Sequence, residues 1–199
     1  ENFLRILAAT GDGKLDLGIT YRDAAEQLSE IPVFLRIMRL CTIHDVEVER
    51  MLTTLRRAMI EETIADKADE SSMPFSAALA IHCFTNEYVF SETDEETAIV
   101  ADLQRRIKAL LENKRNVAPP FITALAAYRP LSSFPWIQEL CDRNWSDDLN
   151  EVIERQFLEP QEERSLGSHI PQLTPIQNKI SQSVRAQYEA NPYPRWIKT

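Results

Sequence analysis

Glycine is scarce in this chain, with four in 199 residues. So few glycines argue against a turn-rich all-β fold and against glycine-rich phosphate loops, because both use backbone conformations that other residues reach only at a cost. Cysteine is scarcer still. Cys41, Cys83 and Cys141 are odd in number, widely separated and free of CxxC spacing, which excludes a disulfide framework or a structural zinc site as the organising element. Buried, reduced thiols in a cytoplasmic protein are the expected state. No run of residues approaches the apolar length of a membrane span. The opening ENFLRILAAT has neither an initiator Met nor a basic stretch ahead of an apolar one. Both ends are therefore expected to be cuts in a longer chain. An excess of base is also missing: the net charge is −9, so neither nucleic acid nor a membrane is expected as a partner. The acidic runs, such as ETDEE at 92–96 and QEER at 161–164, are read as solvated helix starts and faces.

Helical periodicity dominates what is present. In DVEVERMLTTLRRAMIEE, Val48, Met51, Leu52, Leu55 and Met59 recur at three- and four-residue steps with charges between them. TDEETAIVADLQRRIKALLEN repeats the pattern through Ile99, Leu103, Ile107 and Leu110, and opens with Thr93 and Glu96 at capping-box spacing. SDDLNEVIERQFL places Leu149, Val152, Ile153 and Phe157 on one face behind Ser146 as N-cap. Two segments, 75–84 and 121–128, are apolar nearly all round; their alanines and the nearby Pro74 and Pro120 predict buried central helices. Pro32, Pro119, Pro130, Pro135, Pro160 and Pro171 are read as breaks between periodic stretches. A final helix is predicted from Thr174 as N-cap, Pro175 in its first turn and Gln177 closing a capping box, with a stripe of Ile176, Ile180, Val184 and Tyr188 that lies against the bundle and a stop at Pro192. The expected fold is all-α: an irregular bundle of roughly eight helices over 1–190, followed by an extended segment over 191–199. The helix at 1–10 is alternatively the end of a preceding region. No internal repeat is visible.

Catalytic constellations are hard to find. His44, His82 and His169 are distant in sequence, and HExxH is absent. His44 and Asp45 are adjacent and cannot face each other on a helix, so Asp45 is read as a helix start. His82 and Cys83 are also neighbours, and a core histidine is expected rather than a nucleophile–base pair. GDGKLDLG at 11–18 lacks EF-hand ligand spacing and the GK[ST] ending of a phosphate loop, leaving a surface turn. Asn86, Glu87 and Tyr88 are the exception: polar groups at the end of an apolar helix. They either cap neighbouring backbone or line a groove that receives a partner segment. No catalytic, cofactor-binding or metal-binding residue is assigned.

Four stretches, CFTNEYVFSETDEE at 83–96, AAYRPL at 126–131, EPQEER with the later IPQLTPIQNKIS, and the terminal VRAQYEANPYPRW, together resemble bacterial tetratricopeptide-repeat proteins that carry a class I S-adenosylmethionine-dependent methyltransferase domain. In that family a helical region ends in a similar signature and the catalytic domain follows. The match runs from about residue 40 onward. Residue by residue, Tyr188, Asn191, Pro192, Tyr193, Pro194, Arg195 and Trp196 correspond to the connecting signature, which the resemblance makes an interdomain or partner contact. S-adenosylmethionine is implied for the longer protein, not for this chain, which lacks the strand, GxGxG loop and acidic ribose ligand of such a site. It also lacks recognisable tetratricopeptide repeats.

The resemblance thus implies a non-catalytic helical domain that positions substrate or packs on a downstream catalytic domain of the same protein. Pro192 and Pro194 hold the connector extended, presenting Tyr193, Arg195 and Trp196 at low entropy cost. The alternatives are a tail that folds back on its own domain and a stand-alone adaptor that binds a peptide or partner protein.

Overall fold

Helices are the regular elements of the computed structural model, which describes residues 2–11, 13–15, 18–169 and 178–190. The architecture is the expected all-α multi-helix bundle. The chain divides into two compact units, Glu1–Pro160 and Gln161–Thr199. The first contains α1 (Asn2–Ala9), α2 (Tyr21–Ser29), α3 (Pro32–Leu40), α4 (Val46–Ile64), α5 (Met73–Thr85), α6 (Asp94–Glu112), α7 (Pro119–Ala126), α8 (Gln138–Cys141) and α9 (Asp147–Ile153). A π-helical turn, Glu154–Leu158, continues α9 directly into α10 (Glu159–His169); α11 (Lys179–Ala190) belongs to the second unit. No helix among the described residues is long and apolar enough to cross a membrane.

Helix α5 is the centre of the first unit, packing against α2, α3, α7 and α9. Its residues from Phe75 to Phe84 are buried on every side, and its alanines let neighbouring helices approach closely. Helix α7, the second apolar segment, packs on α5 from one side and on α4 and α6 from another. Both begin with proline in the first turn, where no intrahelical N–H bond is lost. On α4, Met51, Leu52, Leu55 and Met59 face the core as expected, and Asp45 caps the helix by accepting from the N–H groups of Glu47 and Val48. The Thr93–Glu96 capping box forms on α6.

Several expectations are corrected. The buried face of α6 is Glu96, Val100, Leu103, Ile107 and Leu111, with Ile99 and Leu110 only partly buried; the face turned inward is the one that carries Glu96. Pro160 is not a break but the second residue of α10. Inside an α-helix its ring would clash with the carbonyl of residue 156, and the wider turn just before it, where the Glu159 N–H bonds to the Glu154 carbonyl, accommodates the ring. Cys41 is exposed rather than buried, whereas Cys83 is buried and Cys141 lies between; all three are free. Asn178 directly precedes α11, its Oδ1 accepting from the Ile180 N–H at 2.8 Å. Ile180 and Val184 are exposed. Thr174, Pro175, Ile176, Gln177 and the extended segment 191–199 lie outside the described residues.

Three helices end in the same way, without glycine. At the ends of α4, α5 and α6, the residues Asp66, Glu87 and Lys114 take φ of 56°, 58° and 53°. Each closes a Schellman motif: Lys67 N–H to Glu62 O, Tyr88 N–H to Cys83 O and Arg115 N–H to Leu110 O, at 2.8–2.9 Å. A side chain in this left-handed region costs about 1–2 kcal/mol, part of which glycine recovers after its own entropy loss. Lys114 is exposed, so Lys114→Gly is expected to stabilise the protein by about 0.5–1 kcal/mol. Urea denaturation read by circular dichroism checks this; an unchanged or lowered midpoint refutes it.

Candidate functional site

Asn86, Glu87 and Tyr88 close α5. Asn86 is its C-cap, with its N–H bonded to the His82 and Phe84 carbonyls, and its side-chain Oδ1 is buried without a hydrogen-bond partner. Glu87 and Tyr88 both take left-handed backbone geometry, Tyr88 with φ of 56°. The second left-handed residue sends the Tyr88 side chain back toward α7, where its hydroxyl donates to Ala126 O at 3.2 Å and to Gln156 Oε1 at 3.3 Å. Gln156 is the hub of this region. It is fully buried; its Nε2 donates to Ala80 O and Ala126 O at 3.0 Å each, and its Oε1 also accepts from the Leu131 N–H at 3.2 Å. One amide therefore ties α5, α7, the segment after α7 and the α5 end loop to the π turn that carries it. Within 86–88, Tyr88 thus fastens the end of α5 to α7 and to the π turn.

A second polar cluster fills the space between α4, α6, α7 and the loop at 86–93. Arg56 is 1% exposed. Its Nη2 donates to Ser91 O at 2.6 Å and lies 3.8 Å from Glu96 Oε1. Its guanidinium sits 4.2 Å from the centroid of the Tyr128 ring and 5.7 Å from that of Phe90. Tyr128 in turn donates its hydroxyl to Glu96 Oε1 at 2.7 Å, and Glu96 Oε2 accepts the Thr93 N–H at 2.9 Å. Burial holds the Tyr128 hydroxyl protonated, well above its ordinary pKa. Beside this cluster, Arg129 grips Glu92 with two bonds of 2.7 Å. The hydrogen bonds from Arg129, aided by Thr97, keep the Glu92 carboxyl below its usual range. Sequence reading counted Arg56 among the charges between apolar positions. The signal was nevertheless there: Leu52, Arg56, Met59 and Thr63 share one helical face.

His82 and Cys83 belong to this interior. His82 is 1% exposed, with Nδ1 3.3 Å from Met38 O, and burial lowers its pKa. This is the core histidine expected from the sequence. Desolvation pushes the Cys83 thiol up to about 12, so it is not a nucleophile at neutral pH.

An open concavity of the first unit lies elsewhere, at the N-terminal ends of α5, α7 and α9. It is a cleft of about 920 Å³. Met73, Pro74, Val117 and Trp145 give it apolar walls, and Glu70, Asn116, Arg143 and Asn144 are among its polar groups. Trp145 is fixed by its indole N–H donating to Leu140 O at 2.7 Å, and the Arg143 guanidinium lies 6.0 Å from its ring centroid. Arg39 clamps one edge, pairing with Asp148 at 2.8 Å and Glu151 at 3.1 Å and reaching Pro74 O at 3.4 Å. Nothing in the sequence pattern announces this cleft, because its lining comes from three separate segments, each a loop running into a helix start.

Among the described residues, the glycines do not fit a class I S-adenosylmethionine cradle. Gly11, Gly13 and Gly18 lie between α1 and α2 with no strand before them, and the fourth glycine, Gly167, lies within α10, so the strand–loop cradle of a class I site is not formed by these residues. No family model, curated protein or solved structure matches the chain. Among the connector residues, Tyr188 lies within α11, while Asn191, Pro192, Tyr193, Pro194, Arg195 and Trp196 are outside the described residues.

Two outcomes follow for the core. Gln156→Leu strands the buried Leu131 N–H and is expected to cost about 2–4 kcal/mol, measured as a fall in the urea midpoint; a loss below half a kcal/mol refutes the hub role. Because His82 has a lowered pKa, the unfolded chain takes up its proton first, so stability is fully present above the ordinary value of 6.5 and declines as pH falls below it. His82→Gln should flatten the stability profile below about pH 6.5; an unchanged slope refutes the assignment.

Proposed function

We propose that this chain is a non-catalytic helical domain of an S-adenosylmethionine-dependent methyltransferase that positions a protein or peptide substrate or packs on the catalytic domain, in the cytoplasm. The resemblance of the terminal NPYPRW signature and the upstream stretches gives the class. The carrying observation is the division of polar groups. Those in the core are engaged in holding helices together, as with Arg56, Glu96, Tyr128 and Gln156, while the cleft lined by Trp145 and Arg143 opens outward. Such a body supplies a surface for positioning, and the methyl donor is left to the downstream domain. A second reading, a stand-alone adaptor that binds a peptide or partner protein, is favoured by the location of the whole cleft within the first unit.

Calorimetric titration with S-adenosylmethionine tests the first reading. The 199-residue chain is expected to give no saturable heat, and the protein extended past Thr199 is expected to bind. Saturable binding by the short chain overturns the non-catalytic assignment. An extended protein that does not bind overturns membership of a methyltransferase and leaves the adaptor.

A further inference from the structure

Residues 86–93 run from the end of α5 to the start of α6 without regular structure. Along them burial alternates: Tyr88, Phe90 and Glu92 are at least partly buried, whereas Glu87, Val89, Ser91 and Thr93 are exposed. A period of two marks an extended strap with one face on the core. That face is seated at separate points. Tyr88 bonds to Ala126 and Gln156. The Phe90 ring meets the His82 ring at 5.9 Å and the Arg56 guanidinium at 5.7 Å. The Ser91 carbonyl accepts from Arg56, and Glu92 is gripped by Arg129 and Thr97.

The strap is built to come away more easily than the helices beside it. The backbone N–H groups of Glu87, Tyr88 and Val89 bond to Phe84, Cys83 and Asn86, all within the turn that ends α5. Its seating on α4, α6 and α7 comes instead from side chains and the Ser91 carbonyl. The left-handed geometry of Tyr88 is offset by the bonds of its own hydroxyl, so lifting that side chain also relieves backbone strain. The Glu92–Arg129 pair is open to water, with side chains 20% and 38% exposed. Beneath the strap lie Arg56 and Cys83, 1% and 0% exposed, the thiol beside the guanidinium.

We infer that residues 86–93 are a strap that opens as one unit while the helices stay folded, with Glu92 and Arg129 as its latch, and that this opening uncovers the Cys83 thiol. Closed, the thiol is inert, because burial pushes it up to about 12. Opened, it stands in water beside a cation, the surroundings that favour the reactive thiolate. The fold thus gates a nucleophile by a local motion rather than by global unfolding. This holds whether the domain positions a substrate or acts as an adaptor.

Thiol exchange tests it in the unaltered chain, with an excess of dithiobis(nitrobenzoate). The Cys83 thiolate displaces one thionitrobenzoate, its proton passes to the buffer, and peptide mass spectrometry follows Cys83 separately from Cys41 and Cys141. Cys83 is expected to react about a hundredfold or more slowly than the exposed Cys41. Its rate should hardly change at low urea, since local opening exposes little surface, and should join the slope of global unfolding only at higher urea. Glu92→Gln should raise the rate without urea by about tenfold. Ile6→Val, in the core of α1 where it packs on α2 and α4, should raise the global unfolding constant by about fivefold. It should leave the Cys83 rate unchanged, because the contacts of Ile6 survive the opening. A Cys83 rate that follows the global slope from the start, or that rises with Ile6→Val, overturns local opening. A rate unmoved by Glu92→Gln overturns the latch, and one equal to that of Cys41 overturns the cover.

Discussion

A guanidinium in the middle of a helical core sets terms for everything packed around it. Arg56 is buried among α4, α6 and α7, where an uncompensated charge would cost several kcal/mol. Compensation arrives from three directions: the Ser91 carbonyl, the Glu96 carboxylate and the face of the Tyr128 ring. Each comes from a different element, so none of the three can move without exposing the charge to an unfavourable environment. Helix α6 shows the consequence. Its hydrophobic periodicity is compatible with more than one rotation, and the rotation adopted turns Glu96 inward. The same Glu96 carboxylate completes the capping box with Thr93, so the start of α6 and the centre of the core are fixed by one side chain. Such ion pairs add little net stability compared with apolar residues of equal volume. Their effect here is on register: they specify which face of α6 and which end of α7 meet α4.

Scarcity of glycine has a related effect at the helix ends. Reversing the chain after α4, α5 and α6 requires a left-handed residue each time, and Asp66, Glu87 and Lys114 adopt it. At α5 the following residue does so as well, and that second left-handed step turns Tyr88 back onto Ala126 and Gln156. A glycine after α5 would have terminated the helix more easily, but the position of Tyr88 depends on the whole sequence of turns. Backbone strain and polar satisfaction are linked in this loop, because the hydrogen bonds of Tyr88 and the Schellman closure offset the cost of two unfavourable φ values.

The helices were largely legible in the sequence, and the polar architecture was not. Amphipathic spacing locates α4, α6 and α9, and all-round apolarity locates α5 and α7, because burial acts through local periodicity. Capping residues mark Asp45 and Thr93 for the same reason. The π turn at Glu154–Leu158 escapes such reading, since its sequence continues an ordinary helical face through Phe157 and the proline that accompanies it looks like a stop. Gln156 escapes too. A lone glutamine on a helix between Glu154 and Leu158 reads as a surface residue, and its four partners lie 25 to 76 positions away. Arg56 was partly legible, because its spacing from Leu52 and Met59 puts it on the buried face, but its partners come from distant elements. Asn86, Glu87 and Tyr88 are polar groups in an apolar setting; Tyr88 is bonded to α7 and to Gln156, while the Asn86 Oδ1 is buried without a partner.

The contrast between core and cleft carries the functional reading. Buried polar groups are unfavourable unless partnered, so the bonds that Arg56 Nη2 and Gln156 make are what stability requires and say nothing of a ligand. Exposed polar groups have no such requirement, and most are simply solvated. What Asn116, Asn144 and Glu70 share is one concavity, lined also by Met73, Val117 and Trp145, in which the Trp145 indole is held by its bond to Leu140 O. The Arg39 clamp to Asp148 and Glu151 works to the same end, fixing the start of α9 against the start of α5. Trp145 and the start of α9 are therefore tied by named bonds, while the side chains of Glu70, Asn116 and Asn144 make none. Recognition asks for that combination, since a preformed site pays less of the ordering entropy that binding otherwise costs.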